Sequence, residues 1–195
     1  MIIINPGKII NILSKDDTLT KLSRIDGGIH CMIIYPDLTT LKQFYSDFIK
    51  NQIEENNEIF LYNSFYETID SVRQILAEDS SGLDISKYEK ENTLVIGDSL
   101  KTYFGQESVI SFIQRMINHA KEIQKNGITI LSDMGVFSFK EKHNELVDFE
   151  LSLPTKFDKM IKGFCLYHQK DFDILSEEQK QQLIHHHGMV IKIEA

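Results

Sequence analysis

Cysteine, proline, glycine and basic residues are all scarce in this chain, and each scarcity removes a class of protein. Two cysteines, Cys31 and Cys165, stand among 195 residues, each inside an apolar run. They make no disulfide framework and fit a reducing compartment. With 3 Pro and 10 Gly, no low-complexity tract and no repeat of fixed period, the chain is not expected to be disordered or built of stacked repeats. Lys and Arg number 21 against 29 Asp and Glu, a formal net charge of −8. Nothing resembles a Lys/Arg stripe that would displace counterions, so no direct binding of nucleic acid is expected. Apolar runs fall far short of the ~20 residues a bilayer span needs. The opening Met1-Ile2-Ile3-Ile4-Asn5-Pro6 lacks the basic start and cleavage pattern of a signal peptide. The expectation is a cytoplasmic protein without membrane contact.

What is present is an ordinary core: 42% hydrophobic and 26% charged residues match one globular domain able to fold without staples. Residues 1–26 hold one short apolar run and a helical turn through Leu19 and Leu22, and read as a lead-in packed on a domain spanning 27–195. From Ile29 to Tyr35 the run is continuous and Ile-rich, as in a strand covered on both faces. A helix over 39–55 then aligns Leu41, Phe44, Tyr45, Phe48, Ile49 and Ile53. Further strands are read at 58–63, 93–98, 128–133, 163–168 and 189–193. The intervening helices fall at 66–78, closed by Asp79-Ser80-Ser81-Gly82, at 107–125, capped by Asn126-Gly127, at about 142–160, and at 176–185. Strands alternating with helices in this way predict a three-layer α/β/α domain with a mainly parallel sheet.

In such a sheet ligands sit beyond the carboxyl ends of the strands. The polar groups found there are Tyr35 and Asp37, Asn63, Asp98, Asp133 and His168, which are read as lining one ligand crevice. Capping of the following helices is the competing explanation for the Asp and Asn positions. Asp133, closing Ile-Thr-Ile-Leu-Ser-Asp, also sits where phosphate-loop enzymes place a magnesium-holding acid. Yet no G-x-x-x-x-G-K-[ST] occurs, and Gly7-Lys8 has neither the spacing nor a preceding strand. The first strand runs into Pro36-Asp37-Leu38-Thr39-Thr40, which has no glycine to curl around a phosphate and a carboxylate where phosphate charge would lie.

His185-His186-His187 lies inside the chain, between a helix and the last strand, and is treated as native sequence. Together with His30 it falls at the amino-terminal edge of the sheet, away from the crevice. A metal site from His30, Cys31 and His187 is the alternative reading of these residues; neither i, i+4 nor C-x-x-C ligand spacing accompanies it, so no metal or other cofactor is assigned. No G-x-S-x-G elbow is present, and neither cysteine has a sequence neighbour that would activate it as a nucleophile apart from His30 beside Cys31, whose side chains point to opposite faces of a strand.

Several segments, in this order and spacing, resemble the MEDS domain, the sensory domain of DcmR-type regulators. They are His30-Cys31-Met32-Ile33-Ile34-Tyr35, Leu83-Asp84-Ile85 with Thr93 to Asp98, Leu131-Ser132-Asp133-Met134-Gly135, Phe164-Cys165-Leu166-Tyr167, and His186-His187-Gly188-Met189-Val190-Ile191. The resemblance extends over about 26–193. It departs from the family pattern where Cys31 directly follows His30, where Asp133 replaces a glutamate and where Gly188 replaces a proline. It implies a fold similar to KaiC- and RecA-like ATPase cores without Walker A, and a role as a sensor of small organic ligands such as simple hydrocarbon derivatives. Family members are often fused to DNA-binding or kinase modules. No flank here is long enough to be one, so either a partner in trans, a kinase or transcription regulator, is expected, or the chain is an excised piece of a longer one. Two other readings stay open: a divergent KaiC-like ATPase using Asp98 and Asp133, and a docking or homo-oligomerisation module.

Overall fold

The computed structural model describes residues 2–3, 9–78 and 82–194; Gly7-Lys8 and Asp79-Ser80-Ser81 lie outside them. In chain order the elements are β1 (Ile2–Ile3), β2 (Ile9–Leu13), α1 (Lys15–Ser23), β3 (His30–Tyr35), α2 (Leu38–Lys50), β4 (Ile59–Ser64), α3 (Ile69–Glu78), α4 (Ile85–Lys90) and β5 (Leu94–Asp98). There follow α5 (Ser99–Phe104), α6 (Val109–Glu122), β6 (Ile128–Asp133), α7 (Gly135–Phe139), α8 (His143–Ser152), β7 (Ile161–His168), α9 (Gln169–Ile174), α10 (Glu177–His186) and β8 (Met189–Ile193).

The eight described strands form one sheet in the order β1-β2-β8-β3-β7-β6-β4-β5. Every pairing among them is parallel except β1 with β2. The apolar run of the lead-in is β2, a sheet member whose Ile10 lies opposite Val190 of β8. Alternate strand residues feed two cores. Cys31, Ile33, Phe60, Tyr62 and Phe164 pack with Phe44, Phe48, Val72 and Leu76 under α1 to α4. On the other face Met32, Ile34, Cys165 and Tyr167 pack with residues of α7 to α10, while Ile59, Leu61 and Ile128 meet α6. The result is the expected three layers, and all six residues of β3 are buried.

Several element boundaries differ from the sequence reading for identifiable reasons. The helix over 39–55 is α2 followed by a π-helical turn, Asn51–Glu55, and Asn57 stops it at φ 54°. α6 ends at Glu122, three residues before the expected limit, with Gln124 at φ 58° acting as the left-handed stop in place of Gly127. The helix expected to about 160 ends at Ser152, because Pro154 disfavours helical geometry at the residue before it and Leu153 is extended (ψ 153°). Residues 153–160 are irregular and pack across the amino-terminal edge of β3, where Phe157 N–H donates to Gly28 O at 2.9 Å.

From β3 the chain crosses over to β4, beyond β7 and β6, whereas from β7 it crosses to β8 on the opposite side. β3 and β7 are neighbours, so the winding reverses between them, and their carboxyl ends form the switch point where open α/β sheets bind ligands.

Candidate functional site

The six crevice candidates do lie along the carboxyl edge, but the structure divides them. Tyr35 and His168 are register partners on β3 and β7, with rings 5.2 Å apart and edge to face. The Tyr35 hydroxyl donates to Asp133 Oδ2 at 3.1 Å, and Gly135 N–H donates to Oδ1 at 2.9 Å. Asp133 is fully buried, and that burial pushes its carboxyl up to about 7. The Tyr66 ring lies 5.6 Å from that of His168, and its hydroxyl bonds Asp171. The switch point is thus filled by protein side chains.

Capping accounts for Asp37, Asp98 and His168. Asp37 Oδ1 accepts from Thr40 N–H at 2.8 Å, so the amino terminus of α2, where a phosphate would be cradled, is occupied by the chain's own carboxylate. Asp98 accepts from Leu100 N–H at 2.7 Å at the start of α5, and His168 Nδ1 accepts from Lys170 N–H at 3.1 Å at the start of α9. Asn63 stands apart: it donates to Ser132 Oγ at 2.9 Å and accepts from Thr102 Oγ1 at 3.1 Å. With Asp98, Lys101, Thr102, Val95 and Phe112 it lines an open cleft of about 290 Å³ beside β5. A Cβ on Gly97 would come within 2.6 Å of Asn63 Oδ1, so glycine is what lets this side chain lie along the cleft.

At the opposite edge the structure gathers a second group. His30 of β3, Glu150 in the last turn of α8, Cys165 of β7 and His187 at the α10–β8 junction are all buried, and their ligand-type atoms lie within 4.8 Å of one another. Glu150 Oε2 is 3.3 Å from His30 Nε2 and 3.5 Å from His187 Nε2. Cys165 Sγ is 3.6 Å from His30 Nε2 and 3.7 Å from Glu150 Oε2. His30 Nδ1 is 3.1 Å from Pro154 O and His187 Nδ1 2.8 Å from Leu183 O. A carbonyl only accepts, so both Nδ1 atoms carry the proton. Tyr167 donates to Glu150 Oε1 at 2.7 Å. Burial alone would raise the Glu150 carboxyl, but His187 and His30 more than reverse it and hold it well below the usual range. Burial lowers the His30 imidazole and raises the Cys165 thiol. Gly163, opposite His30 in the register, leaves room for the Phe157 ring, which lies 4.7 Å from that of His30 and which a Cβ would meet at 2.4 Å.

Of the alternative metal set, His30 and His187 come together, their ring centroids 4.2 Å apart, whereas Cys31 belongs to the core on the other face of the sheet. A strand alternates its side chains, so Cys165 takes that place because its register partner Met32, not Cys31, shares the face of His30. Glu150 is a member that the sequence reading missed. The available signal is its spacing from Leu146 and Val147, which puts a carboxylate on the buried face of an amphipathic helix.

With both edges of the sheet described, comparison with known proteins bears on the whole chain. The sequence model of the family described as MEDS, the methanogen/methylotroph DcmR sensory domain, matches residues 29–188. No curated protein matches the chain. Among solved structures, one from Pyrococcus horikoshii OT3, described as a structural study of PH0250, is similar with a TM-score of 0.56 at 8% identity. The match covers 93% of this chain and 88% of that one. The flagellar accessory protein FlaH of Methanocaldococcus jannaschii gives a TM-score of 0.50 at 14% identity over 92% of this chain and 77% of its own. The KaiC-like protein PH0186 of Pyrococcus horikoshii OT3 gives 0.49 at 18% identity over 83% and 70%. At these identities the likeness concerns the fold alone, a mainly parallel α/β sheet flanked by helices.

Proposed function

This chain belongs to the MEDS family of sensory domains, and from that premise we propose that it is a non-catalytic sensor, binding a small organic molecule and signalling to a partner protein in trans. The observation that carries the reading is at α2: where a nucleotide-binding relative would cradle phosphate, the carboxylate of Asp37 already caps the helix, and an anion there meets like charge. The ligand takes the cleft beside Asn63 and Asp98, whose 290 Å³ suits a molecule of few heavy atoms, at the small end of ligand pockets. Asn63 and Thr102 supply its polar contacts; Val95 and Phe112 supply its apolar ones. Signalling to a kinase or transcription regulator follows if the ligand binds one of two conformations more tightly, since only differential affinity shifts a population.

A thermal-shift screen of short alcohols, amines, thiols and halogenated hydrocarbons tests this. At least one class is expected to raise Tm of the chain and to lose that effect in Gly97→Ala, where the new Cβ displaces Asn63. Stabilisation of both proteins by the same amount contradicts the cleft assignment, and stabilisation by none of the classes contradicts the sensory reading.

A further inference from the structure

We propose that His30, Glu150, Cys165 and His187 bind one divalent transition-metal ion of the zinc class, forming a closed four-ligand centre that clips β3, β7, α8 and the start of β8 together. The site lies at the amino-terminal edge of the sheet, away from the ligand cleft, and stands independently of the sensory reading.

Three features of the geometry carry it. First, four of the six separations are those of tetrahedron edges, and all six lie within 4.8 Å. Zinc bonds of ~2.0–2.1 Å to nitrogen or oxygen and ~2.3 Å to sulfur give ideal edges of roughly 3.4 Å between N or O atoms and roughly 3.6 Å to sulfur. The observed distances are 3.3 and 3.5 Å from Glu150 Oε2 to the two imidazoles, and 3.6 and 3.7 Å from Cys165 Sγ to His30 and Glu150. Second, the tautomers leave lone pairs pointing inward. With the Nδ1 protons given to Pro154 O and Leu183 O, the Nε2 atoms are the ones that face Glu150 Oε2, and His30 Nε2 also faces Cys165 Sγ, so a cation at their centre meets the nitrogen lone pairs once Nε2 is free of its proton. Third, the outer shell is complete: each imidazole is oriented by a carbonyl, and Glu150 Oε1 accepts from Tyr167, the kind of support that fixes metal ligands.

Two imidazoles, a thiolate and a carboxylate form a borderline-soft set suited to Zn²⁺, and four protein ligands leave no open position, as in structural rather than catalytic zinc sites. On binding, the Cys165 thiol gives its proton to solvent, and so does any imidazole that carries a proton on Nε2, so at least one proton leaves per ion bound.

The test is elemental analysis of the chain purified without a tag, followed by Co²⁺ titration of chelator-stripped protein. One equivalent of zinc, or of iron, cobalt or nickel in its place, is expected. The stripped chain should take up Co²⁺ with a near-ultraviolet thiolate-to-cobalt absorption and visible bands of tetrahedral intensity. Cys165→Ser should abolish the near-ultraviolet band, and Cys31→Ser, on the far face of the sheet, should keep it. Tyr167→Phe should weaken Co²⁺ affinity by about 10- to 100-fold without changing the band. Purified wild-type chain that holds no metal and, once reduced, shows no cobalt–thiolate absorption overturns the proposal; because this arm uses the native sequence, misfolding of a variant cannot mask it. Persistence of the band in folded Cys165→Ser overturns it equally.

Discussion

Asp133 shows how one side chain can set a pH response in this domain. It is fully buried at the end of β6, accepting from Tyr35 and from Gly135 N–H, and its carboxyl is pushed up to about 7 by burial. Between its unfolded value of 3.8 and about 7 the folded chain keeps a proton that the unfolded chain has lost. This group therefore lowers stability as pH rises through that window, by ~1.4 kcal/mol per unit and a few kcal/mol in all. Asn in its place is neutral throughout and still accepts from Gly135. The stability of Asp133→Asn relative to wild type should rise from pH 5 to pH 7 and level off above it, measured by urea unfolding at each pH. A difference that stays constant across that range contradicts the raised carboxyl.

Among the elements, the π-helical turn Asn51–Glu55 explains a buried charge pair. The wider turn places Gln52 over the amino-terminal edge of the sheet, where its Oε1 accepts from Lys162 Nζ at 3.3 Å and from Asn56 at 2.9 Å. Lys162 in β7 also bonds Glu58 at 2.7 Å, and Glu58 is held by Thr129 Oγ1. All of Gln52, Glu58, Thr129 and Lys162 are buried. Lys162→Met leaves Glu58 as an uncompensated buried charge and should cost about 3–5 kcal/mol in chemical denaturation. The double variant with Glu58→Leu should recover most of that loss. Additive losses in the double variant would contradict the pairing. The elements that sequence revealed and those it missed separate by length. β3 to β8 were legible because each carries a short apolar run, such as Ile-Phe-Leu-Tyr in β4 and Phe-Cys-Leu-Tyr in β7, that the sheet buries. α4, α5, α7 and α9 span only 5 or 6 residues each, too short for helical periodicity to show. The carboxyl-edge candidates were legible as positions after strands, but capping and function leave the same residues there. The histidine cluster was only half legible, because Glu150 and Cys165 join it through α8 and β7, 120 or more residues from His30 and without any ligand spacing.

For the whole molecule, the sheet has two edges with separate chemistry. At the carboxyl edge the switch point between β3 and β7 is packed with Tyr35, His168 and Tyr66, and Asp37 caps the helix that would otherwise meet a phosphate; the nearby cleft beside β5 holds Asn63 and Asp98. At the amino-terminal edge four buried side chains converge from β3, α8, β7 and the α10–β8 junction. Among the described residues no helix is long and apolar enough to cross a membrane. The central proposal is that this domain of the MEDS family works as a sensor and binds no nucleotide. Isothermal titration of the full chain with Mg·ATP tests it most directly: no saturable heat up to millimolar nucleotide is predicted, and saturable binding in the micromolar range would contradict it.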